Sequence, residues 1–156
     1  MLSKEQDPRK LRIVALGHVV LRVSDLERSV TFYRDVLRMK EVARYGRTMV
    51  FFSLGSKHHD LALMEIGKQA RPARPDQTGL YHVAFKVGDD LDTLAQWKKH
   101  LRELDVPVLG ESDHRVSQAL YIQDPDGIEI ELYVDSDPSI WKDDPSAVAT
   151  IRRLEW

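Results

Sequence analysis

Two histidines in matching sequence contexts are the residues of this 156-residue chain best suited to binding a metal. His18 lies within residues 16–26, and His82 lies at the same place in residues 80–91, 64 positions later. The repeat of the surrounding side chains indicates a duplicated fold unit, which brings equivalent residues toward the axis between its two copies. Two imidazoles and one carboxylate can hold a divalent metal and leave coordination positions open for a substrate.

The carboxylate that could join these histidines lies in an apolar segment near the end of the second unit. Glu131 stands between Ile130 and Leu132, and a buried carboxylate needs a cation or strong hydrogen bonds to stay ionised. A metal would supply that cation, whereas a salt bridge to an arginine is the alternative. Glu129 shares the face of Glu131 under strict alternation, so the local pattern leaves the choice between the two glutamates open.

Two more histidines stand where they could serve the chemistry of such a site. His59 precedes an apolar, strand-like run, and His114 opens the stretch that reaches Tyr121. An imidazole beside a metal is well suited to moving protons near neutral pH, although each histidine alone also fits a surface loop. His58 and His100 are interpreted as solvent-facing, His100 because it lies among lysines on the polar side of a helix.

The elements that must position these residues follow the same order in both halves. A first unit over about residues 11–67 is predicted to contain a strand at 13–23, a helix at about 25–38 that begins with a Ser24–Glu27 capping box, and strands at 49–52 and 60–66. A second unit at 79–135 is predicted to contain a strand at 79–87, a helix striped over 91–104, and strands near 108, at 119–122 and at 128–134. Residues 68–78, with two prolines, are predicted to be a linker, and residues 136–156 a C-terminal arm with a short helix around 147–153.

Composition restricts the class of function. The net charge of −2 gives no basic excess to attract nucleic acid or an anionic membrane. No apolar run approaches the roughly 20 residues of a membrane span, and residues 1–10 lack the apolar run of a secretory leader. The absence of cysteine excludes a disulfide framework and a thiolate zinc site. We therefore expect one cytoplasmic domain over residues 1–156 that acts on a small molecule.

A long, spaced motif in the second half resembles the signature of a known enzyme family. His114, five residues, Leu120-Tyr121, two residues, Asp124-Pro125, one residue, Gly127, three residues and Glu131 are similar to the signature of extradiol ring-cleaving dioxygenases of the vicinal oxygen chelate superfamily. Residues 57–63 resemble the segment that carries that family's acid–base histidine, and the resemblance spans residues 13–135. Ser112 departs from the signature, and many catechol-cleaving members carry two such domains where this chain has one.

The resemblance implies an α+β fold in which two tandem βαβββ units form a curved-sheet funnel around a metal. It implies that His18, His82 and Glu131 bind iron(II), with manganese(II) suited to the same ligands. His59 would handle protons, while His114 and Tyr121 would hydrogen-bond the bound substrate. The substrates would be a catechol-type aromatic diol and dioxygen, and edge strands with an aromatic tail favour a homodimer.

Two other functions compete with ring cleavage. A glyoxalase-like isomerase of the same superfamily would use a fourth protein ligand, for which Glu65 is the candidate because it lies near the position that Glu131 takes in the second unit. A metal-free binding or resistance protein is the third possibility. That branch usually lacks the metal ligands that this chain contains.

Overall fold

The computed structural model describes residues 11–156, and two βαβββ units of the predicted kind make up most of it. The first unit contains β1 (Val19–Val23), α1 (Leu26–Thr31), β2 (Lys40–Tyr45), β3 (Met49–Ser53) and β4 (Leu61–Glu65). The second contains β5 (His82–Gly88), α2 (Leu91–Glu103), β6 (Gly110–Asp113), β7 (Ser117–Gln123) and β8 (Glu129–Asp135). The C-terminal arm adds α3 (Ser139–Asp143) and β9 (Arg152–Arg153). The predicted α+β class is confirmed, while residues 1–10 and the prediction made for them lie outside the described part.

The strands form two separate sheets, one for each unit. The first has the order β1-β4-β3-β2, and the second has the order β5-β8-β7-β6-β9. In each unit the first strand pairs in parallel with the last, and the remaining pairs within the unit are antiparallel. This shared topology agrees with the duplication that the repeated histidine segments predict.

Alternation along the strands gives each sheet one face packed against a helix and one open face. On the first sheet, Leu21, Leu61 and Leu63 are buried in the core beneath α1. On the second, Ile130 and Leu132 are buried with Leu94 and Leu101 of α2. Burying a side chain of this size contributes roughly 1.5–3 kcal/mol. The helix-covered faces therefore stabilise the fold, and the opposite faces are left for the site.

A hydrogen-bonded contact joins the two units at the turn before β8. The Tyr33 hydroxyl donates to Asp124 Oδ2 at 3.0 Å, and both residues are buried. Asp126 accepts hydrogen bonds from the Ser24 backbone N–H at 3.0 Å and from Arg28 Nη2 at 2.7 Å. The start of the first helix is thus bound to the turn that leads into the strand of Glu131.

Several predicted boundaries in the first unit are wrong. β1 begins at Val19 and not at residue 13, because its partner β4 offers paired backbone only from Leu61 onward. The predicted capping box is also wrong, since Asp25 caps α1 by accepting from the Arg28 N–H, while Ser24 contacts Asp126. α1 ends at Thr31 and continues as a π-helical turn, Phe32–Val36.

Two predictions for the second half also fail. The helix expected around residues 147–153 is replaced by a 3₁₀ turn, Pro145–Ala149, and by β9, which pairs with the otherwise free edge of β6. His100 is half-buried and not solvent-facing, because its Nε2 lies 2.9 Å from the Val36 carbonyl oxygen of the first unit. The stretch over 68–78 contains no helix or strand. Among residues 11–156, no helix has the length and apolarity needed to cross a membrane.

Candidate active site

The open face of the second sheet brings His82 and Glu131 into direct contact. β5 and β8 are parallel neighbours in which His82 pairs with Glu129, and Ala84 pairs with Glu131. His82 Nε2 lies 3.0 Å from Glu131 Oε2. Glu131 is buried with a relative exposure of only 8%. A carboxylate so little exposed requires a cation or a hydrogen-bond donor beside it.

The geometry of this pair fits two ligands of one metal ion. Imidazole nitrogen and carboxylate oxygen bind such ions at about 2.0–2.2 Å, so two of them at right angles are about 3.0 Å apart. The observed separation of Nε2 and Oε2 is 3.0 Å. His82 Nδ1 is buried without a hydrogen-bond partner, and its nearest carboxylate is Glu129 Oε1 at 3.5 Å. A small approach of Glu129 would let it accept from Nδ1–H, which is the usual arrangement behind a metal-bound histidine.

Tyr121 and His114 extend this cluster along the same face. Tyr121 lies opposite Glu131 in the β7–β8 ladder, and its ring centroid is 6.1 Å from that of His82. The Tyr121 hydroxyl is 2.8 Å from His114 Nε2. Partial burial, together with the nearby carboxylate of Glu131, raises the pKa of Tyr121 to about 12. The phenol therefore keeps its proton at neutral pH and is available as a hydrogen-bond donor.

The first sheet carries a second cluster, made of three imidazoles. The ring centroids of His18 and His59 are 4.3 Å apart, and those of His58 and His59 are 4.5 Å apart. Desolvation lowers the pKa of His59, and the neighbouring His18 and His58 lower it further. His59 also meets the edge of the Phe51 ring at 5.3 Å. A neutral imidazole held in this way can accept a proton.

The described chain does not bring the two clusters together into one site. His18 is exposed at the entrance to β1, whereas His82 and Glu131 lie on the other sheet. Within residues 11–156, no three histidine, aspartate or glutamate side chains are close enough to share a metal ion. The predicted triad of His18, His82 and Glu131 is thus present as a contacting pair plus one separate histidine.

Glu65 does not occupy the position that sequence reasoning gave it. Its pairing with Val23 places it on the helix-covered face, where its Oε2 accepts a hydrogen bond from the Leu26 N–H at 2.8 Å. The true counterpart of Glu131 is found through strand register. In the second unit, Ala84 pairs with Glu131. Val20 lies 64 positions before Ala84 and is its equivalent in the first unit, where it pairs with Ala62. The position expected for a fourth carboxylate ligand is therefore a buried alanine.

Sequence reasoning also missed the apolar side chains that share the open face with the first cluster. The register of β1, β3 and β4 places Val20, Met49, Phe51, Ala62 and Met64 on one surface with His18. This face is mostly apolar and partly exposed, with Arg22 opposite Met64 as a charged member, and no helix of its own unit covers it. The alternation that predicts the strands could have identified these residues. Thr150, whose carbonyl contacts His114 at 2.9 Å, had no comparable signal because backbone atoms do not depend on residue type.

Comparison with known proteins gives matches to one superfamily. The model of the Glyoxalase/Bleomycin resistance protein/Dioxygenase superfamily matches residues 15–132. A biphenyl-2,3-diol 1,2-dioxygenase of Rhodococcus globerulus is 34% identical over 77% of this chain, and the match covers 62% of that relative. The chain thus spans less than two thirds of that enzyme's length. A metallothiol transferase FosB of Staphylococcus epidermidis is 30% identical over 79% of this chain and 83% of its own length.

Solved structures agree with the fold. The crystal structure of a lactoylglutathione lyase from Agrobacterium tumefaciens has a TM-score of 0.63 and 26% sequence identity, and the match covers 83% of this chain and 97% of that one. Relatives with similar scaffolds thus carry three different reaction names. The scaffold alone does not distinguish among these reactions, and the side chains at the site must do so.

Proposed function

This chain belongs to the Glyoxalase/Bleomycin resistance protein/Dioxygenase superfamily, and we propose that within it the chain is an extradiol dioxygenase that cleaves a catechol-type aromatic diol. The observation that carries the proposal is the continuous series of contacts from His82 and Glu131 through Tyr121 to His114 on one sheet face. His114, Tyr121 and Glu131 belong to the ring-cleavage signature, and His82 is a metal ligand that the resemblance implies. Iron(II) is the proposed metal, and manganese(II) suits the same donors.

The third ligand would come from a second copy of the chain. His18 directly precedes β1 of the first sheet, whereas His82 and Glu131 lie on the second sheet, and no group of three ligands forms within the described residues. Leu16 beside His18 and Tyr81 beside His82 are both strongly exposed. A two-fold homodimer that buries these residues would place the first sheet of one copy against the second sheet of the other. Each dimer would then hold two equivalent sites.

The residues of this chain have separable tasks in the proposed reaction. His82, Glu131 and His18 would hold the metal, which when bound supplies chelation of the diol and electron transfer to dioxygen. Neutral His59 would accept a proton from a diol hydroxyl. Tyr121, protonated at neutral pH and with its hydroxyl proton directed at His114 Nε2, would accept a hydrogen bond from a diol hydroxyl through its oxygen. The apolar face around Phe51 and Met64 would pack against the aromatic ring and exclude water.

The position of Ala62 disfavours the isomerase alternative. A glyoxalase-like site would need a carboxylate on the first sheet as its fourth ligand, and an alanine occupies the register equivalent of Glu131. Glu65 lies on the opposite face, where it accepts a hydrogen bond from the N-terminus of α1. A site with three protein ligands keeps more coordination positions free for a chelating diol and for dioxygen.

Oxygen consumption tests the proposal directly. Protein loaded anaerobically with iron(II) should consume one dioxygen per molecule of catechol or biphenyl-2,3-diol and form a coloured ring-opened product that contains both oxygen atoms. Hydroquinone is the matched control, because its hydroxyls are not adjacent and cannot chelate one metal. Oxygen-independent conversion of a methylglyoxal–glutathione adduct, or of a thiol with an electrophile, would assign the chain to another branch of the superfamily.

A further inference from the structure

The C-terminal arm reaches the candidate site through one backbone atom. His114 lies at the end of the β6–β7 hairpin, where its backbone N–H donates to the Ser117 carbonyl at 2.8 Å. Its side-chain Nδ1 lies 2.9 Å from the carbonyl oxygen of Thr150, and its Nε2 lies 2.8 Å from the Tyr121 hydroxyl. Both ring nitrogens therefore have partners, one in the arm and one in the site.

The two contacts place different requirements on the protons of the His114 ring. A carbonyl oxygen can only accept, so the Thr150 contact requires a proton on Nδ1. In the neutral imidazole, Nε2 then has no proton and can only accept, which makes the Tyr121 hydroxyl the donor of the second hydrogen bond. Any proton that His114 gains or loses is confined to Nε2, the nitrogen that faces the site. The arm thus determines which tautomer the site meets.

Several contacts fasten the arm on both sides of Thr150. Before it, Ala147 is buried in the 3₁₀ turn. After it, β9 pairs with β6 in the register Asp113↔Arg152 and Ser112↔Arg153, directly beside His114.

The last residues add a second set of contacts. Leu154 is buried, and Trp156 Nε1 donates to Glu111 Oε2 at 2.5 Å. Lys98 of α2 lies 4.2 Å from the centroid of the Trp156 ring and forms an ion pair with Glu111 at 2.8 Å. These contacts hold the Thr150 carbonyl against His114.

We propose that the C-terminal arm, through the Thr150 carbonyl, is a positioning element that fixes the Nδ1–H tautomer of His114 and so orients the Tyr121 hydroxyl toward its ring. This inference rests on the proposed function only for its effect on turnover. The tautomer itself is a property of the free protein. A second-sphere backbone contact of this kind sets which nitrogen of a histidine is available for chemistry.

A pair of arm variants separates positioning from simple stability. Leu154→Ala combined with Trp156→Ala removes the two side chains that hold the end of the arm. Trp141→Ala is the matched control, because Trp141 is a comparably exposed tryptophan of the same arm whose ring is approached by Lys142 at 5.7 Å. Nitrogen-15 NMR of the histidine rings reports the tautomer, and the His114 signal is assigned through its loss in His114→Gln.

At a pH where the His114 ring is neutral, the wild-type chain and Trp141→Ala should carry the ring proton on Nδ1 alone. The double variant should show exchange between tautomers, an unchanged metal content, a nearly unchanged KM for the diol, and a kcat about five- to tenfold lower, as expected for loss of one hydrogen bond. A proton on Nε2 in the neutral wild-type ring overturns the inference, and so does an unaltered tautomer in a folded double variant.

The NMR result is independent of turnover. If no diol is cleaved, the proposed function fails while the arm inference is still decided by the tautomer of His114. If the double variant does not fold, Trp156→Ala alone is used, and the wild-type spectrum remains decisive. Released arm contacts in Trp156→Ala, measured by amide exchange at residues 150–153, together with exchange between the His114 tautomers support the inference. Released contacts with an unchanged tautomer overturn it.

Discussion

His82 and Glu131 are the residues through which the site can be tested most directly. Their facing atoms are 3.0 Å apart on neighbouring parallel strands, whereas Glu129 is turned toward the other nitrogen of the same ring at 3.5 Å. Alternation along the strand left the two glutamates equivalent, and only the resemblance selected Glu131. Strand register distinguishes them, because Glu129 lies opposite His82 itself and Glu131 lies one step further along the same open face.

Glu131→Gln should weaken metal binding far more than Glu129→Gln. The first change removes the negative charge of a ligand. The second replaces the carboxylate behind His82 with a neutral amide, and changing such an outer-sphere partner typically costs about 10–100-fold in affinity. Equilibrium metal titration of both variants measures the difference. Equal losses in the two variants, or stoichiometric binding by Glu131→Gln, would contradict the assignment of Glu131.

His59→Gln should keep the metal and lose turnover. The proposed role of His59 is proton transfer, whose loss costs about 10²–10⁴-fold in rate. His100→Gln is the control, since His100 contacts the Val36 carbonyl and lies outside both clusters. Steady-state kinetics with catechol and metal analysis of both variants give the answer. Loss of metal from His59→Gln at unchanged kcat per metal would instead make His59 a ligand.

At the scale of elements, the contact between α1 and the turn before β8 positions the strand of Glu131. Asp124 Oδ1 accepts from the backbone N–H groups of Asp126 and Ile128 at 2.9 and 2.8 Å, while Oδ2 accepts from Tyr33. Burial raises the pKa of Asp124, and these hydrogen bonds oppose that rise. The Asp-Pro-x-Gly part of the signature thus serves the fold, and only its histidine, tyrosine and final glutamate lie on the site face.

Tyr33→Phe should lower the free energy of unfolding by about 1–3 kcal/mol, because a buried carboxylate loses one of its donors. The loss should be largest where Asp124 is ionised and should shrink as the pH falls through its raised pKa, since a neutral acid needs that donor less. Denaturant titrations at neutral and acidic pH measure both effects, with exposed Tyr45→Phe as the control. A cost independent of pH would exclude the ionised carboxylate as its cause.

The elements show where sequence reasoning succeeds and where it stops. Apolar periodicity and the repeat were sufficient for the partly buried strands and the two main helices, since both reflect local burial. They missed β2, whose residues are mostly exposed. The start of β1 and the assignment of Glu65 were wrong because each depends on pairing between β1 and β4, which a single sequence does not show. β9 depends on a free edge of β6 for the same reason. The errors therefore fall at residues whose structure depends on pairing with another strand.

At the scale of the whole molecule, the separation of His18 from His82 and Glu131 makes assembly part of the chemistry. The duplication predicted that the two histidines would approach one another, but it could not say whether they do so within one chain or between two. Two separate sheets with open faces, exposed apolar residues beside both histidines and no three-ligand group in residues 11–156 favour two chains. A symmetric dimer would pair each open face with its complement.

Mixing two inactive variants tests this arrangement. His18→Ala and His82→Ala should each bind little metal and lack activity, because each lacks one ligand at every site. After the two are unfolded together and refolded, a heterodimer has one site that lacks both histidines and one site with a full ligand set. With random pairing, half of the dimers are heterodimers, so about one quarter of wild-type activity and metal content should return. If both histidines served a site within one chain, mixing would restore nothing, because every chain would still lack one of them.

The refolded wild type gives the reference yield, and a mixture of His18→Ala with His59→Gln serves as the control. These two changes lie on the same sheet, so every heterodimer site would still carry one of them, and little activity should return.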